Sequence, residues 1–153
     1  VAGGLGRLGG YYGAAQTVLL IACAAAYVLS EAPRRTFPVG GDVLCFAGLA
    51  LLAAAFISLG KAVQVDPEPR ADASLVTHGV YARLRHPMYT AIAILVVGLL
   101  LKKPAIAVGA MSATVLAFLG FKVRYEERRL AARYPGYAAY RARTWGVFLQ
   151  PPG

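Results

Sequence analysis

The side chains best suited to chemistry crowd into one run: Leu75-Val76-Thr77-His78-Gly79-Val80-Tyr81-Ala82-Arg83-Leu84-Arg85-His86-Pro87-Met88-Tyr89-Thr90-Ala91. It contains both histidines of the chain, two arginines and two tyrosines, and an apolar run follows it. Pro87 suits the first turn of a helix, where its missing N–H costs nothing. Arg85-His86-Pro87 is therefore expected where a polar loop enters a membrane, with the unsatisfied N–H groups of the new helix facing that loop. His86 is a candidate proton acceptor, and a helix cap is its plainer reading. Arg83 and Arg85 are candidate anion ligands or ordinary positive-inside residues. Tyr81 and Tyr89 are candidate ligand-facing rings or interfacial belt residues.

A second group follows at Arg124-Tyr125-Glu126-Glu127-Arg128-Arg129. Val123, Glu127, Leu130 and Tyr134 repeat at i, i+4, i+7 and i+11, one face of a helix. Glu127 thus sits on an apolar stripe, where a carboxylate is costly without a partner. Its bland alternative is a carboxylate that snorkels to water or closes a structural bridge. Glu126 falls beside Lys122 and Arg129, on a face where i,i+3 and i,i+4 pairs form.

The elements that must position these groups are membrane helices. Of 153 residues 58% are hydrophobic, and mean hydropathy is +0.57. That is too apolar for a soluble domain of this size, and the length suits one domain, 1–153. Four apolar runs are expected as spans: Tyr11–Leu29, Val43–Leu59, Met88–Leu101 (a little short) and Pro104–Phe121. Asp42 is expected to cap the second. Between spans two and three, Asp66-Pro67-Glu68-Pro69-Arg70 excludes regular helix. Lys122–Tyr134 reads as a separate charged helix stopped by Pro135-Gly136, followed by a basic tail with Tyr137, Tyr140, Trp145 and Phe148, a membrane-interface composition. The fold class is all-α: a multi-span helical bundle with a cytoplasmic amphipathic helix and tail.

Net charge is +9. The basic residues border apolar spans and no nucleic-acid-binding motif is present, so anionic lipid explains them better than nucleic acid. With four spans, twelve Lys and Arg fall on the side of the termini and the Arg-His-Pro run, against four on the other. This asymmetry puts both termini in the cytoplasm. Cys23 and Cys45 lie singly in apolar runs and read as small buried residues, not as metal ligands or a disulfide framework. The first apolar run has a Gly-rich lead-in and no clear small-residue cleavage site, unlike a cleavable signal.

At these residues the sequence resembles the isoprenylcysteine carboxyl methyltransferase family, which extends to phospholipid N-methyltransferases and many bacterial relatives. The resemblance rests on Leu75-Val76-Thr77-His78-Gly79-Val80-Tyr81, Arg85-His86-Pro87-Met88-Tyr89, Glu126-Glu127 and Tyr137-Ala138-Ala139-Tyr140, in that order. It covers Leu75 to the end; the first two spans match only by being apolar. Three positions depart from the family pattern: Ala91 stands where glycine is common, Tyr134-Pro135-Gly136 replaces Phe-Gly, and Lys122 replaces an arginine of eukaryotic members.

The resemblance implies S-adenosylmethionine as methyl donor, in a pocket at the cytoplasmic face built from residues 75–153. It implies Gly79, Tyr81, Arg85, His86, Tyr89, Glu126 and Glu127 as cofactor-binding residues. Arg83, Lys122 and Arg124 are candidates to orient a carboxylate acceptor, and His86 to deprotonate an amine or thiol. The acceptor is expected to be lipophilic, a small molecule or lipid-modified substrate reached through membrane lipid. No Gly-rich dinucleotide loop is present, so the soluble methyltransferase fold is not expected. The rival readings are an inactive membrane scaffold that binds lipid or a partner, and a four-span glutathione-dependent transferase.

Overall fold

The computed structural model describes residues 3–31, 38–60, 75–147 and 151. The Asp66–Arg70 connector and Phe148 lie outside the described residues. Among the described residues five α-helices follow one another: α1 Gly3–Leu29, α2 Pro38–Leu59, α3 Pro87–Lys102, α4 Ile106–Arg133 and the short α5 Tyr137–Arg141, with a 3-10 turn at Gly79–Ala82. The described residues form no strand; one isolated parallel bridge joins Leu84 to Trp145. The expected helical bundle is observed. Tyr11–Leu29, Val39–Leu59 and Ile106–Arg133 are long and apolar enough to cross a membrane. α3 is apolar but has 16 residues, about 24 Å at 1.5 Å per residue, short of a hydrocarbon core of about 30 Å.

Three boundaries differ from the sequence reading, the start of α2 at Pro38 rather than Val43 among them. α1 begins at Gly3, so the Gly-rich lead-in is continuous with the first span. The fourth span and the charged helix are one element, because nothing between Phe121 and Arg133 breaks a helix and most of those residues favour one. At 28 residues α4 is about 42 Å long, so its charged end projects beyond the membrane core. Pro87 opens α3 and Tyr134 closes α4, as the sequence indicates.

The packing explains which faces are bare. α2 lies along α3, α1 along α4, and α3 also packs on α4. α2 and α3 approach closely through glycine: a Cβ on Gly98 would lie 3.0 Å from both Cys45 N and Gly41 O, and one on Gly48 would lie 3.0 Å from Ala91 O. Ala91 is fully buried in this contact, so the small residue at this position suits the closeness of the two backbones. The apolar core joins Cys23 of α1, Ile92 and Val96 of α3, and Val115 and Leu119 of α4. Outside it, Val18, Ile21, Val43, Phe46, Leu49 and Ile57 are exposed, which suits lipid rather than water. Cys23 is buried and Cys45 half-buried, both as free thiols.

Asp42 does not cap α2. It is the fifth residue of that helix and pairs with Lys102 at 2.5 Å. Starting the helix at Pro38 moves Asp42 past the capping position and opposite the end of α3. The neighbouring Lys103 is buried and donates from Nζ to Tyr27 O at 2.7 Å, tying the end of α3 to the end of α1.

Candidate functional site

The chemistry gathers where the start of α3 meets the projecting end of α4. Pro87 starts α3, which puts Arg85 and His86 at its mouth and Tyr89 in its first turn. The helical face of Glu127 and Leu130 turns toward this mouth. Arg85 is 5% exposed and His86 6%. Arg85 Nε donates to Glu127 Oε1 at 3.1 Å, and Nη1 donates to Arg141 O at 2.9 Å and to Thr144 O. The guanidinium fork therefore clamps the tail to the glutamate. Backbone bonds reinforce this, Arg85 N to Trp145 O and Trp145 N to Arg83 O, each 2.8 Å.

Glu127 thus points into protein and has the partner that its stripe position demands. Its carboxylate also lies 3.4 Å from His86 Nε2. The geometry falls short of a hydrogen bond, and Nε2 is a buried atom without a hydrogen-bond partner among the described residues. His86 occupies the N-cap position of α3 but makes no capping bond with its side chain. Its ring stacks on Tyr89, with centroids 5.6 Å apart and planes 20° apart.

Glu126 has the Lys122 neighbour expected of it, with Nζ 3.9 Å from Oε1, and it faces the site as well: Tyr89 OH donates to the same oxygen at 2.6 Å. Arg129 does not join it but sits over the Tyr125 ring, 5.6 Å from the centroid. The two adjacent carboxylates, about 100° apart around the helix, therefore serve different partners: Glu126 meets Tyr89, and Glu127 meets Arg85 and His86.

Between these groups lies a cavity of about 220 Å³ lined by Leu75, Val76, Tyr81, Arg85, His86, Met88, Tyr89, Glu126, Leu130 and Tyr140. One wall is apolar and the other carries carboxylate, imidazole and phenol. Of the candidates read from sequence, Tyr81, Arg85, His86, Tyr89 and Glu126 line it. Glu127 stands against Arg85 and His86, and Lys122 lies 5.0 Å over the Tyr89 ring. Gly79, Arg83 and Arg124 are not on it. Gly79 packs against Ser58 at the end of α2, with φ +59°, and Ser58 Oγ accepts from Val80 N at 3.2 Å. Arg124 is exposed; Arg83 is exposed beside a separate apolar groove formed with Val80, Leu84 and Trp145.

Two of the tail's tyrosines pack into the protein, while Trp145 stays exposed. Tyr137 and Tyr140 are buried, and Tyr140 OH donates to Tyr81 O at 2.7 Å. Burial pushes the Tyr81 phenol up to about 12, with Tyr140 and then Glu126 adding to it. Burial likewise lifts Tyr137 to about 12 and raises Tyr140. All three stay protonated at neutral pH, and Tyr137 OH is buried without a hydrogen-bond partner among the described residues. Sequence reasoning missed Met88 and Gln16, which carries Lys122 from α1. It also missed the Arg141 and Thr144 carbonyls, for which backbone atoms leave no signal in residue type. Leu75, Val76 and Tyr140 are visible in the motif and Leu130 on the apolar stripe, but their residue types do not single them out as lining a cavity.

Residues 36–137 match the family described as phospholipid methyltransferase. The chain is also similar to the cobalt-zinc-cadmium resistance protein CzcN of Cupriavidus metallidurans, at 35% identity over 80 residues. That stretch is 52% of this chain and 37% of that protein, so the chain matches well under half of that relative's length.

Proposed function

Because the chain belongs to the phospholipid methyltransferase family, a family of membrane methyltransferases, we propose that it moves a methyl group from S-adenosylmethionine to a lipophilic acceptor at the cytoplasmic membrane face. The observation that carries this reading is the convergence of Glu126, His86 and Tyr89 on one cavity at the end of a bundle whose outer faces are bare and apolar.

The residues present fit the donor. His86 lines the cavity, and its Nε2 has only a 3.4 Å contact with Glu127 Oε1, short of a hydrogen bond. Glu126 offers a carboxylate to a ribose diol or an ammonium. Tyr81 offers a ring to a cationic sulfur, and Leu75, Val76, Met88 and Leu130 offer apolar surface to a base. The donor supplies a methyl group already activated on a positively charged sulfur. The chain's work is then to bind, orient and exclude water. Arg85 contributes by holding the tail, and Glu127 by fixing Arg85 and flanking His86. Where the acceptor is an amine or thiol, His86 Nε2 is the group able to take its proton. Of Arg83, Lys122 and Arg124, Lys122 is the cation beside the cavity and the one suited to steer an anionic acceptor.

The acceptor would reach the cavity from lipid, along helices that expose apolar side chains. The excess of Lys and Arg on the side of this cavity supports a cytoplasmic location for it and for both termini, in a bacterial-type cytoplasmic membrane. The deciding experiment is calorimetric titration of the detergent-purified protein with S-adenosylhomocysteine, beside Glu126→Gln and His86→Ala. Saturable binding by the parent is expected, weakened about tenfold or more in each folded variant. A folded parent that binds nothing overturns the reading and leaves an inactive membrane scaffold.

A further inference from the structure

Lys122 precedes Glu126 by four residues on α4, a spacing at which the two can pair, though Lys before Glu is the weaker order. Here the ion pair is long, at the outer edge of contact. The ammonium stops 3.9 Å from Glu126 Oε1 and donates instead to Gln16 Oε1 on α1, at 2.7 Å. It rests above the Tyr89 ring, 5.0 Å from the centroid. Glu126 keeps its 2.6 Å hydrogen bond from Tyr89 and faces the cavity. A ring contact seats α1 so that Gln16 can reach: Tyr12, one turn before Gln16, has its ring 4.9 Å from that of Tyr125, the residue preceding Glu126. Gln16 lies outside the matched residues 36–137, so nothing in that match accounts for it.

An ammonium in full contact with Glu126 would neutralise the carboxylate and occupy the oxygen that a ligand needs. Hydrogen bonds to an ionised oxygen are roughly twice as strong as neutral ones, so the difference bears directly on affinity. We propose that Gln16 is a positioning residue, a latch that holds Lys122 off Glu126 and leaves that carboxylate to a ligand hydroxyl or ammonium in the cavity. The assignment of that ligand as S-adenosylmethionine rests on the functional reading above; the latch itself is a statement about Gln16, Lys122 and Glu126. It makes α1 part of the working site rather than only a membrane anchor.

The test uses the full chain in detergent and two measurements. The first is S-adenosylhomocysteine affinity in the parent, Gln16→Leu, Lys122→Met and the double variant. Gln16→Leu is expected to weaken binding about three- to tenfold, the scale of one charge-assisted hydrogen bond partly lost. Adding Lys122→Met to Gln16→Leu restores it to the level of Lys122→Met alone, because no competing ammonium remains. A Gln16→Leu variant that binds like the parent, or a double variant that does not recover, overturns the latch and leaves Gln16 a packing residue. The second measurement needs no ligand: the rate at which an amine-reactive acylating reagent labels Lys122, read by mass spectrometry. Labelling is expected to slow about threefold in Gln16→Leu, as the ammonium closes onto Glu126. An unchanged rate in Gln16→Leu overturns the latch. A changed rate with a parent that binds no S-adenosylhomocysteine upholds the latch and overturns the functional reading.

Discussion

Arg85 and Glu127, 42 positions apart, share a 3.1 Å ion pair whose side chains are 2% and 14% exposed. It is the joint of the site. The glutamate comes from a helix that begins in the membrane, the arginine from the loop before α3, and the other nitrogen of the same guanidinium reaches the carbonyls of Arg141 and Thr144.

Breaking this joint should loosen the tail before it unfolds the bundle. Arg85→Ala leaves Glu127 buried beside His86 and frees two carbonyls, a loss of about 3–5 kcal/mol for a buried pair with one partner removed. Arg85→Lys keeps the charge but not the fork, and is expected to recover only part of it. Limited proteolysis checks this: cleavage within residues 134–147 should rise sharply in Arg85→Ala while the fragments covering α1 to α4 persist. Uniform degradation of the chain would contradict the assignment.

The legible part of this site follows a simple division. Glu127 can be placed facing inward because a charged residue on an apolar helical stripe announces that it has a partner, and Pro87 marks the start of α3 because its ring dictates φ. Glu126 reads onto the solvent face because pattern alone does not show that α3 stands beside it. Tyr137 and Tyr140 look interfacial because a tyrosine has the same composition signal in a belt as in a packed tail. Gln16 carries no signal at all: one amide in an apolar helix acquires meaning only when α1 packs against Lys122.

The raised phenols give the site a pH signature. Tyr81 and Tyr137 are pushed up to about 12 when folded, above an unfolded value of about 10. Their contribution to stability is complete below about pH 10 and is lost as pH rises toward 12, because the unfolded chain gives up these protons first. Tyrosinate absorbance of the native protein should therefore lose one late-titrating group in Tyr81→Phe and one in Tyr137→Phe. Two phenols ionising near pH 10 in the folded state would contradict their burial.

Gly79 and Gly60 separate backbone conformation from packing. Both have positive φ, +59° and +50°. A Cβ on Gly60 meets nothing within 4 Å, whereas one on Gly79 runs into Ser58 Oγ and Cβ. Gly60→Ala should therefore cost about 1–2 kcal/mol, the left-handed penalty alone. Gly79→Ala should cost distinctly more, because it also forces the 3-10 turn away from α2. Thermal unfolding in detergent gives the ranking, and equal losses would mean that the Ser58 contact yields freely.

Gly98 and Gly13 provide the corresponding comparison inside the membrane helices, with opposite signs expected. Both are helical, so alanine removes the entropy cost of glycine at each and, other things equal, stabilises by about 0.4–1 kcal/mol. Gly13 has open space, with nothing within 4 Å of its added Cβ, and should show that gain. At Gly98 the added Cβ meets Cys45 Sγ at 2.8 Å, Cys45 N at 3.0 Å and Gly41 O at 3.0 Å. Two of these three are backbone atoms that no rotamer change can move, so α2 and α3 must separate. Overpacking of this kind costs about 1–3 kcal/mol, which outweighs the entropic gain. Because α3 also carries Tyr89 and the mouth of the cavity, the displacement should weaken S-adenosylhomocysteine binding in Gly98→Ala and leave it unchanged in Gly13→Ala. A stabilised Gly98→Ala would mean that the glycine contact between α2 and α3 is looser than the structure draws it.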